Sequence, residues 1–192
     1  MNSVYSQANN SGLDCCPGNH HRRRDDDDDR SNRNRENRDS ILRANTGTFG
    51  PANIPILATL LNPTINEPIA SVTINTEDLE DPTILVQFNG VLTTTATIAA
   101  GLTFVFTLYR SCRGNGQREQ LRSFTVSQVT AALGLPDSRG LSFAFNQSDE
   151  DCNHHECCTY TLELTRVTST VAVNLNVTVT GTLSVLAVSD ED

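Results

Sequence analysis

The stretch from Asp151 to Thr165, DCNHHECCTYTLELT, gathers the groups best suited to chemistry: Cys152, His154, His155, Cys157 and Cys158. Thiolate and imidazole are ligands that zinc accepts, and a thiolate beside an imidazole is also a pair used in nucleophilic catalysis. A third use of thiols is oxidation to disulfides. A strand pattern follows the cluster, because neighbouring side chains on a strand point to opposite faces. Tyr160, Leu162 and Leu164 fall on one face; Thr159, Thr161, Glu163 and Thr165 fall on the other. Extending that parity back one step sends Cys158 to the apolar face. Cys157 then faces outward, where another chain can reach it.

Spacing separates the three chemistries. A closed zinc site draws two ligands from each of two elements at C-x-x-C-like spacing. Here the spacing is C-x-H-H-x-C-C, no C-x-x-C occurs, and Cys112 is the one outside thiol of the folded part that could join. A catalytic Cys152–His154 pair needs a lowered thiol pKa and an orienting group, and the sequence shows neither. The other histidine pair, His20-His21, lies in a polar run. No serine elbow, HExxH, phosphate loop or dinucleotide fingerprint is present. The chain is therefore expected to be no enzyme and to need no cofactor. Zinc held by Cys152, His154, His155, Cys157 and Cys158 is kept as the alternative.

Disulfides suit the remaining facts. The six cysteines are an even set, and two pairs are adjacent in sequence. Adjacent Cα atoms lie ~3.8 Å apart, below the usual disulfide range of ~4.4–6.8 Å. Cys15 and Cys16 thus bond elsewhere, as do Cys157 and Cys158. Cys15, Cys16, Cys112, Cys152, Cys157 and Cys158 are the candidates for bonds between subunits.

The elements that must position these groups read as strands. Residues 1–47 form a polar connector carrying Cys15-Cys16 and the block HHRRRDDDDDRSNRNRENRDS. Such a segment has too little apolar surface to offset its ordering entropy, so a disordered arm is expected. It acts as a solubilising spacer or makes sign-matched contacts with neighbouring arms. The domain, 48–192, is entered past Pro51, Pro55, Pro63 and Pro68, which confine early strands to edges. Strands are expected at 54–61, 69–75, 83–88, 91–99, 102–110, 121–126, 141–145, 170–180 and 182–188, besides the cysteine strand. Asn89-Gly90 signals a hairpin, 126–133 a short helix stopped by Gly134 and Pro136, and Gly181 a strand break. Inward sets include Ile84, Val86 and Phe88; Leu102, Phe104, Phe106, Leu108 and Cys112; Leu141, Phe143 and Phe145; and Val171, Val173, Leu175, Val177 and Val179. Nine or ten short strands indicate an all-β fold, an antiparallel β-sandwich of jelly-roll type.

Composition narrows the partners. A net charge of -9 lacks the basic face that nucleic acid requires, and no apolar run nears the ~20 residues that span a bilayer. All 14 basic residues are Arg. The N-terminal MNSVYSQANNSGLD has no charged region followed by an apolar one, so no classical signal peptide is expected.

The block CNHHECCTYTLELT, with FAF upstream, resembles Cys-rich β-proteins of the endospore surface in spore-forming Firmicutes. The plan as a whole is similar to endospore appendage (pilus) subunits: a jelly roll preceded by a flexible connector with a Cys-Cys pair. The resemblance implies that Cys15 and Cys16 match the connector pair. Cys112, Cys152, Cys157 and Cys158 would be their acceptors on other subunits. The long Arg/Asp block after Cys16 departs from that plan. A structural subunit is thus expected, one that self-assembles into a disulfide-cross-linked spore-surface fibre or layer. Its partners are copies of itself in a helical filament, together with other spore-coat proteins. It reaches the spore surface when the mother cell lyses. The alternatives are a trimeric exosporium-type jelly-roll binding module and a zinc-stabilised β-domain.

Overall fold

Thr, Val, Leu and Ile alternate with polar residues along eight stretches, and each stretch forms a β-strand. The computed structural model describes residues 40–56, 64–76, 79, 82–112, 117–130, 134–148 and 157–189. The strands are β1 (Ser40–Ile56), β2 (Thr64–Asn75), β3 (Pro82–Ala96), β4 (Ala100–Cys112), β5 (Arg118–Thr130), β6 (Pro136–Ser148), β7 (Cys157–Ser169) and β8 (Val173–Ser189). All lie in the second of the chain's two units, Glu36–Asp192.

Two four-stranded sheets result, in the orders β1-β8-β3-β6 and β2-β7-β4-β5. Every neighbouring pair is antiparallel. The pairs nest: first with last, second with seventh, third with sixth, fourth with fifth. This nesting is the signature of a jelly-roll-like β-sandwich, as expected. The inner faces supply the core, with Phe104, Phe106, Leu164, Leu175, Val177 and Val185 fully buried. Each such side chain stabilises by roughly 2–3 kcal/mol relative to exposure. The inward sets read from sequence on β3, β4 and β7 are buried, and Leu141, Phe143 and Phe145 pack on the core from β6. β1 and β2, which carry Pro51, Pro55 and Pro68 inside their length, are edges; Pro82 opens the central β3 only as its first residue.

Several expectations are corrected. The strands are fewer and longer, 12 to 17 residues each. Asn89-Gly90 makes no hairpin, and Gly181 makes no break; β3 and β8 run straight through them. The cause is a row of glycines across one inner face, where Gly181 stands opposite both Gly47 and Gly90. A Cβ on Gly181 would overlap the Phe88 ring, and one on Gly47 would overlap the Ile69 carbonyl of β2. Glycine inside a strand here marks close approach, not a turn. Residues 126–130 of the expected helix belong to β5, because Val126, Gln128 and Thr130 alternate inward. Val171 is exposed, just before β8. The expected boundary at 47/48 falls inside β1, which starts at Ser40 because Ile41 to Gly47 pair with β8. Residues 1–39 of the expected disordered arm lie outside the described residues.

Candidate functional site

The direction of each strand assigns it two poles. At one pole β4 ends at Cys112, β7 starts at Cys157, β2 ends at Asn75 and β5 starts at Arg118. The other sheet brings Ser40, where β1 starts, and the ends of β6 and β8 to the same pole. The chain between Ser148 and Cys157, which holds Cys152, His154 and His155, connects two strand ends of this pole.

The inward parity shared by Cys112 and Cys158 places them directly opposite each other on neighbouring strands. Their Cα atoms are 4.1 Å apart and their sulfurs are bonded. Both are buried. The bond joins positions 46 residues apart. On a chain-entropy estimate, closing that loop stabilises by about 4 kcal/mol. This finding corrects one expectation: Cys112 and Cys158 are bonded to each other within the chain. A buried, bonded sulfur is unsuited to reach another subunit. Cys157 is half-buried on the opposite face, across from Asn75, as its parity predicts.

Charged groups brace this pole. Arg110 follows the inward parity of β4, lies opposite Tyr160 and is buried. Its Nε and Nη2 both donate to Glu119 Oε2, at 3.3 Å and 2.9 Å. On the outer face, Arg118 stacks over the Tyr109 ring, 3.6 Å from its centroid, and forms an ion pair with the buried Glu163. A charge this buried is tolerated when paired, and removing the partner would leave it stranded. Thr107 next to it is buried too, hydrogen-bonded to Ser123 at 3.1 Å and Thr165 at 2.9 Å. The disulfide and the two ion pairs hold the ends of β4, β5 and β7 in fixed register, a rigid base for the connection that carries Cys152.

Cys15, Cys16, Cys152, His154 and His155 lie outside the described residues. The zinc alternative keeps only Cys157 and Cys158 among the described residues, and Cys158 is engaged in the disulfide. Among the described residues, no group of three or more His, Cys, Asp or Glu side chains is placed to hold a metal ion. The Cys112–Cys158 pair was half-visible in the sequence: both sit on apolar faces at strand ends. What sequence lacked was the adjacency of β4 and β7. The buried roles of Arg110 and Glu163 carried no sequence signal beyond Arg110 continuing the inward parity.

The family model described as "Domain of unknown function (DUF4489)" matches residues 40–188, and the chain belongs to that family. No curated protein matches it. Among solved structures, it is similar to a chain of the T13 viral particle of infectious bursal disease virus, with 13% identity and a TM-score of 0.42, covering 76% of this chain and 35% of that one. It is similar also to chains of that virus's Gt strain (10% identity, TM-score 0.35, 79% and 38% covered) and Gx strain (12%, 0.39, 78% and 37%). The chain spans little more than a third of the length of those chains.

Proposed function

We propose that this member of the DUF4489 family is a structural subunit that polymerises through its sheet edges and is then fastened by disulfides from Cys15 and Cys16, forming a spore-surface fibre or layer. The observation that carries the reading is the contrast among the four edge strands. An exposed edge is a template for another chain's strand unless it is blunted. β1 carries Pro51, Pro55 and a register shift; β2 carries Glu67, Pro68 and two shifts. β5 carries Arg118, Glu119 and Arg122. β6 carries Pro136, Asp137 and Arg139 near its start, then runs from Gly140 to Ser148 with no charge and no proline, the longest such run on an edge strand, one residue longer than Ser123 to Thr130 of β5. Where the next copy adds a segment other than its own β6 to this edge, the contact is head-to-tail and propagates into an open filament, whereas β6 on β6 would close at two copies.

The connector supports the fastening step. Ser40 begins β1 at the pole that bears the Cys112–Cys158 bond. Ser40 is 24 positions beyond Cys16, a contour of up to roughly 80 Å, against roughly 55 Å for the 17-residue β8. Cys15 and Cys16 therefore reach past one domain length to a neighbouring copy, where Cys152 is a candidate acceptor. Each bond formed consumes two thiols and passes two electrons and two protons to an oxidant, which molecular oxygen supplies once the protein is outside the cell. The spore-surface placement is supported by the resemblance of CNHHECCTYTLELT alone.

The test is Cys15→Ser with Cys16→Ser in the full chain. The domain is expected to fold with an unchanged melting temperature, while SDS-resistant multimers vanish from non-reducing gels. An unaltered multimer ladder would refute the fastening role, and mass mapping of the ladder would then show which sulfurs hold it.

A further inference from the structure

The outer faces of the two sheets differ in charge. That of β2-β7-β4-β5 carries Arg118, Glu163 and Arg166. On the other sheet the charged residues among those described are Arg43, Asp137 and Arg139. All three stand at inward positions of edge strands, opposite Val185, Thr94 and Leu92. Asp137 accepts from Gln128 of β5, and Arg139 donates to the Ser127 carbonyl of the same strand. Among the described residues, β1-β8-β3-β6 therefore puts no charged and no aromatic side chain on its outer face.

The outward positions of this sheet are mostly Thr, Ser, Asn and Gln, interrupted near the cysteine pole by a row of leucines. Leu42 stands opposite Leu186, and Leu186 stands opposite Leu85. Directly opposed side chains lie ~5 Å apart, so the three join across β1, β8 and β3 into one apolar strip. Val188, two positions along β8, shares their parity and widens it. Leu42 is 65% exposed and Val188 37%, while Leu85 and Leu186 are half-buried among their neighbours. Farther along the strands the polar side chains are tied to each other. Thr46 pairs its hydroxyl with Thr182, Thr48 donates to Thr180, and Asn53 Nδ2 donates to Asn176 Oδ1. Such ties hold the face in one arrangement before anything binds, which lowers the entropy lost on contact.

We infer that this face is a self-complementary interface, at which the outer surfaces of β1, β8 and β3 of two copies stack on each other, strip on strip. Three features select a second copy as the occupant. A hydroxyl or amide side chain both donates and accepts, so a face built of them can satisfy its own replica. A charged partner would instead lose water here without meeting a counter-charge. The stacked strands measure roughly 45 Å by 14 Å, so two copies would bury roughly 1,300 Å² in total, within the size of a specific interface. A lipid surface fits less well, since interfacial binding relies on Lys or Arg with aromatic anchors, and this face offers neither. The pairing is isologous and ends at two copies, with Leu186, on the middle strand of the three, meeting its own counterpart. It lies across the sheet, whereas strand addition lies along the edge of β6; the contacts are separate.

Sedimentation velocity on the full chain tests it, in a Cys15→Ser, Cys16→Ser, Ala144→Lys background that removes cross-linking and strand addition. Ala144 is on β6, outside the three stacked strands, and a lysine there reaches water past the sheet edge. A concentration-dependent dimer is expected, one that sulfate strengthens, as burial of apolar surface predicts. Leu186→Glu and Leu186→Lys should each weaken it at least ~10-fold, because like charges then meet across the contact. An equal mixture of the two variants should dimerise more tightly than either alone, since opposite charges then face each other. Leu42→Ser, which adds no charge and lies on an exposed edge strand, should weaken the dimer too, with thermal melts showing that each variant stays folded. A monomer at every concentration overturns the inference. So does a dimer indifferent to all three variants, or a mixture no tighter than its components. A monomer that sediments with phosphatidylcholine vesicles overturns it as well, making lipid the occupant. None of these outcomes bears on the cross-linked multimers of the unmodified chain, so the two readings fail separately.

Discussion

The sandwich has two seams where the edges of its sheets meet, and they are closed by different means. At the β1/β2 seam, backbone meets backbone. Gly47 lets the Ile69 carbonyl of β2 approach where any side chain would stand, and Asn45 Nδ2 donates to the Ser71 carbonyl at 3.0 Å. At the β5/β6 seam, side chains span the gap. The Phe143 ring lies 4.7 Å from Phe124, 5.3 Å from Phe106 and 6.0 Å from Phe88, so one ring of β6 ties to β5, β4 and β3. Gln128 Nε2 donates to Asp137 Oδ2 at 2.7 Å and to Thr94 Oγ1 at 3.1 Å. The first seam uses its edge backbone to close the fold. The second closes through side chains and leaves β6 paired with β3 alone among the described residues. On the reading proposed above, the second seam is the one that accepts a further strand.

Gly47→Ala strikes the finished seam and should cost the most. The added methyl meets backbone rather than the end of a flexible side chain, so β1 and β2 must separate. Overpacking of this kind destabilises by about 3 kcal/mol or more. Chemical denaturation in the Cys15→Ser, Cys16→Ser background should show a lowered midpoint with an unchanged slope. A midpoint within error of the parent would mean that the two edges are not in backbone contact.

Phe143→Ala tests the other seam. Three ring contacts are lost, and the side chain is only partly buried, so a loss of about 2–3 kcal/mol is expected. Phe143→Leu should recover more than half. If alanine proves neutral, the closure rests on the polar set around Gln128 instead.

Much of this fold could be read from alternation. Leu102 to Leu108 and Val173 to Val179 keep strict parity because each sheet has one wet face, and a slip of one residue would turn every side chain over. Pro51, Pro55 and Pro68, inside their strands, announced edges because a central strand requires the missing N–H. What could not be read depended on partners distant in sequence. Gly90 and Gly181 look like turn residues until they are placed side by side beneath the Phe88 ring. Cys112 and Cys158 are two inward thiols until β4 and β7 are neighbours. Glu163 alternates outward like its threonine neighbours, yet Arg118 from β5 and the packing of the central strands bury it. Composition marked the charge of the acidic connections; only strand direction shows that the strand ends they follow share one pole.

The smallest folding effect belongs to Ala144→Lys, and it discriminates best between the seams. Ala144 is exposed on the outer face of β6, between the inward Phe143 and Phe145, within the uncharged run from Gly140 to Ser148. A lysine there touches no core group, so stability should change by less than about 0.5 kcal/mol. Its charge would have to be buried or crowded by any strand that added alongside, the same device by which exposed edges are commonly kept apart. The full-length protein should then remain folded and fail to form filaments by electron microscopy, while Asn53→Lys, an equivalent change on the outer face of the already blunted β1, should polymerise like the parent. Filaments in both would show that the open seam is not where copies join. Loss in both would point to charge itself, and not to the edge of β6, as the property that polymerisation reads.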